Sequence, residues 1–220
     1  MTKPLQVISN VEVEMRTHFR RFDSVVWTLV AITAFVIFMP RRALGDTVTP
    51  PDVPAEIQVP PGNTAFLVGH AVGTQNYICL PSGAGFAWTL FTPQATLFDD
   101  GANQVTTHFF SPNPAENGTI RATWQHSQDT SSVWARAINQ SSEPRFVRKG
   151  AVSWLLLQEA GVQKGPDGGD TLTATTFVQR VNTHGGAAPA SGCDSPPDVG
   201  KKAFVPYTAD YFFYRDAGSN

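Results

Sequence analysis

The stretch that decides the fold is Thr64–Leu80, with the sequence TAFLVGHAVGTQNYICL. Its first half alternates, and the residues expected on one face are Phe66, Val68, His70 and Val72. Alternation with a period of two is typical of a β-strand. Gly73-Thr74 then predicts a turn into a second strand, Gln75–Leu80, so that the whole stretch is expected to form a hairpin.

The rest of the chain continues this pattern of short strands separated by turn residues such as Asn117-Gly118. Further strands are predicted at Phe86–Phe91, Ala95–Phe98, Gln104–Phe110, Thr119–Gln125, Ser132–Ile138, Ala151–Gln158, Leu172–Asn182 and Ala203–Tyr214. Val147–Ala160 is the strongest helical alternative, although its Leu triplet suits a buried strand equally well. The pattern indicates an all-β domain, either a β-sandwich or a barrel-like arrangement of antiparallel sheets.

The N-terminus predicts export. A basic stretch ending at Arg21 leads into fifteen uncharged residues, Val25–Met39, and Ala43-Leu44-Gly45 supplies a small-x-small cleavage site. We therefore expect residues 1–45 to be a signal peptide, with a retained membrane anchor as the alternative. Residues 1–14 fit an over-extended gene start, because Met15-Arg16 would make a more ordinary beginning.

The expected organisation after the leader is a single domain in the periplasm or outside the cell. A Pro-rich extended lead-in with a short edge strand occupies residues 46–62, the all-β domain residues 63–215 and a tail residues 216–220. The net charge is −2 and only 15% of residues are charged. No basic run follows the leader, which argues against nucleic acid as a partner and leaves a membrane contact only through an uncleaved N-terminal segment.

The chain has two cysteines, Cys79 and Cys193, and neither belongs to a C-x-x-C motif. In an oxidising compartment one pair of cysteines predicts one disulfide. It would join an early strand to the long Gly/Pro-rich stretch before the last strand. A catalytic thiol or a metal site is the alternative.

Several strings in the chain carry a family resemblance: GNTAFLVGHAVGTQNYIC (62–79), THFFSPNP (107–114), RATWQHSQDTSSVWA (121–135), TFVQRVNTHGG (176–186) and PYTADYFFY (206–214). Together they resemble the domain of unknown function 3455 (DUF3455), a family of exported bacterial and fungal proteins. The resemblance extends from about Pro50 to Tyr214 and implies a secreted single domain with two cysteines. It supplies no activity and no catalytic residues.

Some members of that family carry an automatic "malate dehydrogenase" label, which the sequence contradicts. A dinucleotide-binding fold needs β-α-β units and a glycine-rich turn that aims a helix N-terminus at the pyrophosphate. This chain has no G-x-G-x-x-G followed by a helical pattern. We therefore do not expect NAD-dependent chemistry.

Four histidines follow the leader, and His70, His108 and His126 lie in predicted strands or at their ends. Imidazole nitrogens that converge, with Asp100 or Asp129 as a further ligand, would suit zinc or copper. No two histidines have local ligand spacing, so such a site depends on the fold bringing them together. The alternative is three separate histidines bonded to backbone or solvent.

The segment from His126 to Ser131 contains the residue types of a hydrolytic triad. Spaced this closely, they are more typical of a turn in which Asp129 and Ser131 bond to backbone.

Aromatic residues are the remaining candidates for a binding surface. Tyr211–Tyr214 is a continuous aromatic run, so a strand there must place aromatic rings on both faces. Exposed rings would form a platform for a polysaccharide or another polymer, and the candidates are Trp88, Trp124, Trp134, Tyr211 and Tyr214. The first hypothesis is a non-catalytic envelope or extracellular binding module without a cofactor. The alternative is a hydrolase or oxidoreductase that uses one zinc or copper ion.

Overall fold

The computed structural model describes residues 48–218; the predicted signal segment and the last two residues lie outside this range. The described residues form eight strands, β1 Asn63–Ser82, β2 Gly85–Phe98, β3 Gln104–Asn113, β4 Thr119–His126, β5 Ser132–Ser141, β6 Trp154–Gln163, β7 Thr175–Gly185 and β8 Lys202–Asp216. The only helices in this range are 3₁₀ helices of three residues, Ala55–Ile57, Pro114–Glu116 and Pro196–Asp198. The all-β prediction is confirmed. Between residues 48 and 218 no helix is long and apolar enough to cross a membrane.

The strands form a closed antiparallel barrel. Each strand pairs with the next along the chain, and β8 returns to pair with β1, with His70 opposite Asp210 and Ala71 opposite Ala209. Closure removes the free sheet edges that an open sheet would expose. Of the two predicted architectures, the barrel is therefore the one formed.

The predicted turn at Gly73-Thr74 is wrong, because β1 continues through it to Ser82. Gly73 is required for a different reason: a Cβ at this position would lie 2.5 Å from Ala95 Cα on β2. The glycine lets the two backbones approach. The hairpin turn lies instead at Gly83, whose φ of 57° is left-handed. The predicted strands Phe86–Phe91 and Ala95–Phe98 are likewise one strand, β2.

The inside of the barrel is packed with apolar side chains at one end. This is the end of the β2–β3, β4–β5 and β6–β7 connections, and Leu97, Val133, Leu172 and Phe213 are fully buried there. Leu172 comes from the β6–β7 connection rather than from a strand. It closes this end of the barrel, and we call the opposite end the mouth.

A second apolar layer covers part of the outside of the barrel. The lead-in crosses β6, β7 and β8, and its Ile57 is completely buried against Trp154, Phe212 and Tyr214. A short edge strand was predicted in the lead-in, but the structure has a 3₁₀ helix at Ala55–Ile57. The backbone carbonyl of Ile57 accepts a hydrogen bond from Gln179 Nε2 at 2.8 Å.

The predicted disulfide is confirmed. Cys79 on β1 is bonded to Cys193, and their Cα atoms are 5.4 Å apart. The backbone of Cys79 also pairs with Gly200 and Lys201. The long connection between β7 and β8 is therefore held against the β1–β2 hairpin at the mouth.

Candidate ligand-binding cavity

The mouth half of the barrel encloses a cavity of about 590 Å³. It is reached from solvent past exposed residues such as Ile120, Ala137 and Gln140. Its walls are mainly apolar side chains from the inward-facing positions of the strands, among them Leu90, Leu155 and Leu157. Among the residues that the structure describes, three arginines also line it, Arg121, Arg136 and Arg180, and no acidic side chain does.

The floor of the cavity is an aromatic cluster. The His108 ring on β3 stacks on the Trp124 ring on β4, with ring centroids 4.3 Å apart and planes 8° from parallel. Tyr211 on β8 meets Trp124 edge-on, with centroids 5.5 Å apart. These rings separate the cavity from the packed end of the barrel, and each is at most 4% exposed.

His108 is neutral. Burial lowers the pKa of its imidazole to about 3, although its hydrogen bond to the Thr123 carbonyl opposes the shift. His108 Nδ1 lies 2.9 Å from that carbonyl oxygen, which can only accept, so Nδ1 carries the hydrogen. The other ring nitrogen, Nε2, is then a hydrogen-bond acceptor.

Arg180 is the cation deepest in the barrel wall, with 8% of its surface exposed. Its Nε and Nη2 both donate to the carbonyl oxygen of Ser153, at 3.2 and 2.8 Å. The pairing of β6 with β7 ends at Leu155 and Arg180, so the guanidinium satisfies a carbonyl that the strand ladder no longer reaches. Among the described residues no carboxylate forms an ion pair with Arg180.

Two further polar groups of the lining are buried away from the open space of the cavity. Trp124 Nε1 makes no hydrogen bond among the described residues, and Gln75 Nε2 is buried beside the Tyr207 hydroxyl. A buried donor without a partner costs about 1–3 kcal/mol. Trp124 Nε1 is therefore a local cost of the packed floor.

The rim carries two more arginines with their own partners. Arg121 forms two hydrogen bonds with Glu116, whose pKa is lowered to about 2 mainly by that guanidinium. Arg136 Nη2 donates to the neutral side chain of Gln158 at 3.0 Å. The rim is thus more positive than negative.

The three histidines predicted as metal ligands occupy separate environments. The ring nitrogens of His70 contact Asp210 at 2.7 Å and Asp100 at 3.0 Å. His108 is part of the cavity floor. His126 Nδ1 contacts Asp129 at 2.9 Å. Residues 48–218 contain no group of three or more His, Cys, Asp or Glu side chains that could hold a metal ion. The structure does not bring the three predicted ligands together.

The triad-like residues form a turn. Ser131 Oγ donates to Asp129 at 2.7 Å and not to His126, so the base-to-nucleophile contact of a triad is missing. Asp129 also accepts hydrogen bonds from the backbone and hydroxyl of Thr171. It thereby ties the β4–β5 turn to the segment that carries Leu172. The interpretation as a backbone-binding turn fits this geometry.

The five aromatic candidates do not form one exposed surface. Trp124, Trp134, Tyr211 and Tyr214 are each less than 9% exposed. Trp134 donates to Ser111 Oγ, and Tyr214 is covered by the lead-in, which occupies the outer face that the Tyr211–Tyr214 run was expected to leave open. Only Trp88 is partly exposed, and its Nε1 donates to the Ser191 carbonyl at 3.1 Å. Trp124 and Tyr211 reach the cavity instead of the surface.

The sequence analysis missed Arg180 and Gln75. Both are in phase with inward-facing neighbours, since Arg180 follows Val178 by two positions and Gln75 lies between Gly73 and Tyr77 in the same alternation. A charged or amide side chain that alternates with the buried residues of a strand would have indicated a polar group inside the barrel.

An eight-stranded up-and-down antiparallel β-barrel with one end packed by apolar side chains is the class of protein that the fold defines. Within that class the chain belongs to the family described as "Protein of unknown function (DUF3455)", whose model matches residues 60–215. The resemblance found in the sequence is therefore confirmed. No curated protein and no solved structure matches the chain.

Proposed function

We propose that this protein is an exported, non-catalytic binding domain that holds a small, largely apolar molecule inside its barrel. The observation that carries the proposal is the cavity of about 590 Å³ above the His108–Trp124–Tyr211 floor. Ligand pockets in proteins typically measure about 300–1,000 Å³ and are lined mainly by apolar and aromatic side chains with a few polar groups. The cavity has this size and this composition.

The geometry favours a small molecule over a polymer. Four of the five aromatic residues expected on a polymer platform are buried. The cavity, moreover, ends at a packed floor, so a continuous polymer chain has no path through the barrel. The floor rings are at most 4% exposed, so a ligand would be held mainly by the apolar side walls of the cavity.

Export is part of the proposal and is supported by the Cys79–Cys193 disulfide. Disulfides persist in oxidising compartments and are rare in the cytosol. The predicted signal segment points to the same location. A binding protein there would meet small molecules outside the cytoplasm.

A neutral apolar fluorophore, N-phenyl-1-naphthylamine, tests the proposal in a titration of the purified protein. We expect saturable 1:1 binding with an increase in probe fluorescence. Ala137 lines the cavity near the mouth, whereas its neighbour Ile138 does not. Ala137→Phe should weaken binding by at least about tenfold because the added ring occupies cavity volume.

Ile138→Phe is the matched control, because it adds a ring to the same strand outside the cavity. It should leave the affinity within about twofold, as expected for a surface substitution away from the site. Absence of probe binding to the folded wild-type protein, or equal weakening by the two variants, would refute the proposal.

A further inference from the structure

Arg180 has unused hydrogen-bonding capacity where it lines the cavity. A guanidinium has five N–H donors and stays charged at any pH a protein experiences. Among the hydrogen bonds of the described residues, Arg180 contributes two, both to the Ser153 carbonyl. A carbonyl oxygen does not neutralise the charge, and a buried cation without a counter-charge is costly.

The positive charge of Arg180 acts on two titratable side chains of the cavity lining. It opposes protonation of His108 and lowers the pKa of Tyr77, although burial raises the pKa of Tyr77 overall. No acidic side chain among the described residues of the lining balances this charge. The cavity is therefore apolar over most of its surface, with a buried positive charge at Arg180 and two further arginines at the rim.

The guanidinium of Arg180 offers donors only, so the complementary group of a ligand is an acceptor. A carboxylate offers about four acceptor sites and pairs with a guanidinium through two parallel hydrogen bonds.

We propose that the ligand class is the apolar carboxylates: an apolar body within the cavity, with its carboxylate held by Arg180. This inference rests on the proposed function, because it needs the cavity to be a binding site. It adds the chemical class of the ligand and names Arg180 as the residue that selects it.

The test is a matched pair of probes, 2-naphthoate and its neutral amide, 2-naphthamide, each displacing N-phenyl-1-naphthylamine from the full protein. The two probes have nearly the same shape and differ in charge. We expect the carboxylate to bind at least about tenfold more tightly than the amide, because ion-paired hydrogen bonds are about twice as strong as neutral ones. Equal affinities would overturn the inference.

The Arg180→Gln variant gives the second arm. It should abolish the preference for 2-naphthoate over 2-naphthamide, which is measured as the ratio of the two affinities within the same variant. Arg136→Gln at the rim is the control and should keep most of the preference, since Arg136 already bonds Gln158. A preference that survives in Arg180→Gln would refute the role of Arg180.

The outcomes separate the two proposals. A fluorophore that binds while the carboxylate gains nothing over the amide refutes the carboxylate and leaves the binding function intact. If no probe binds, both proposals fail. Should Arg180→Gln not fold, as checked by far-UV circular dichroism, the wild-type comparison of carboxylate and amide decides the ligand class by itself.

Discussion

At the level of single residues, His70 shows how a histidine with two carboxylate neighbours links stability to pH. Its hydrogen bond to Asp210 is the main cause that raises the pKa of His70, and Asp100 adds to it against partial burial. A raised pKa in the folded state means that the protonated form is stabilised by folding. This contribution is complete below the unfolded pKa of about 6.5 and is lost as the pH rises through the higher folded pKa.

We therefore expect His70→Gln to reduce the free energy of unfolding more at pH 5.5 than at pH 9. The pH-dependent part should be less than about 1 kcal/mol, because the pair is substantially exposed and screened by solvent. Urea denaturation of both proteins at the two pH values measures it. His184→Gln, which replaces an exposed histidine on β7, is the control and should show no such difference. A larger loss for His70→Gln at pH 9 would contradict the assignment.

The carboxylate of Asp129 links stability to pH in the opposite direction from His70. Burial acts to raise its pKa, but hydrogen bonds from Thr171 and Ser131 outweigh this and hold the pKa well below its usual value. The carboxylate therefore contributes stability above the unfolded pKa of about 3.9, and the contribution is lost as the pH falls through the lower folded pKa. Its function is to anchor the segment that carries Leu172 into the packed end of the barrel.

Asp129→Asn should lower the free energy of unfolding at pH 7 by about 1.5–3 kcal/mol, the usual value of hydrogen bonds to a charged group. The difference from wild type should shrink as the pH falls below 4, because the unfolded wild-type carboxylate then takes up a proton while the folded one stays charged. Thermal or urea denaturation across this range measures it. Asp167→Asn, at an exposed position of the same connection, serves as the control. An unchanged difference down to pH 2 would show that the charge is not what holds the turn.

At the level of elements, the lead-in acts as a clamp on the outer face of the barrel. Ile57 is fully buried there, and Gln179 connects its backbone to Tyr214 through hydrogen bonds of 2.8 and 2.9 Å. We expect Ile57→Ala to cost about 2–4 kcal/mol, the usual range for removing a buried Ile side chain down to Cβ. Equilibrium urea unfolding is the measurement. Binding of the neutral fluorophore should not change, because this layer lies on the outside of β6–β8.

Ile57→Val provides the matched control for the clamp, with an expected loss of about 0.5–1.5 kcal/mol. A loss in Ile57→Ala no larger than that of Ile57→Val would mean that the lead-in does not unfold together with the barrel. Weaker fluorophore binding in Ile57→Ala would mean that the outer layer also shapes the cavity.

The strands themselves could be located from the sequence, because alternation and turn residues are local signals. Apart from the edge strand of the lead-in, which was wrong, ten segments were predicted, and each coincides largely with one of the eight strands. The two extra boundaries arose at Gly73-Thr74 and near Pro93, where glycine and proline usually indicate a turn. Here Gly73 serves a close approach of β1 to β2, and Pro93 is accommodated next to a bulge in their pairing. Neither reason is visible until the partner strand is known.

The candidate site could be predicted only in part. Trp124, Tyr211 and His108 were identified as chemically informative, but alternation cannot say whether a face points into a barrel or outward. That depends on the pairing of β1 with β8, which joins residues about 140 positions apart, such as His70 and Asp210. Arg180 was overlooked for the same reason, since a lone charge in a strand usually indicates the solvated face.

At the level of the whole molecule, closing the barrel is the costly step. β1 must pair with β8 across almost the entire domain, and contacts so distant in sequence carry a large loop-closure entropy. The Cys79–Cys193 bond joins β1 to the connection that leads into β8, and the two cysteines are 114 positions apart in the sequence. The disulfide therefore lowers the loop-closure entropy that must be lost when β1 pairs with β8.

We expect the double variant Cys79→Ala/Cys193→Ala to lose up to about 4–5 kcal/mol of unfolding free energy, the chain-entropy value for a loop of this length. Refolding should also slow, because the first and last strands must then find each other unassisted. Guanidinium unfolding and stopped-flow refolding of the oxidised wild type against the variant measure both effects. Each single Cys→Ala variant is a control, because either removes the cross-link and should approach the double variant in stability. If the variants match the oxidised protein in both stability and refolding rate, the bond does not assist closure, and the barrel must be held by its strand pairing and two apolar layers alone.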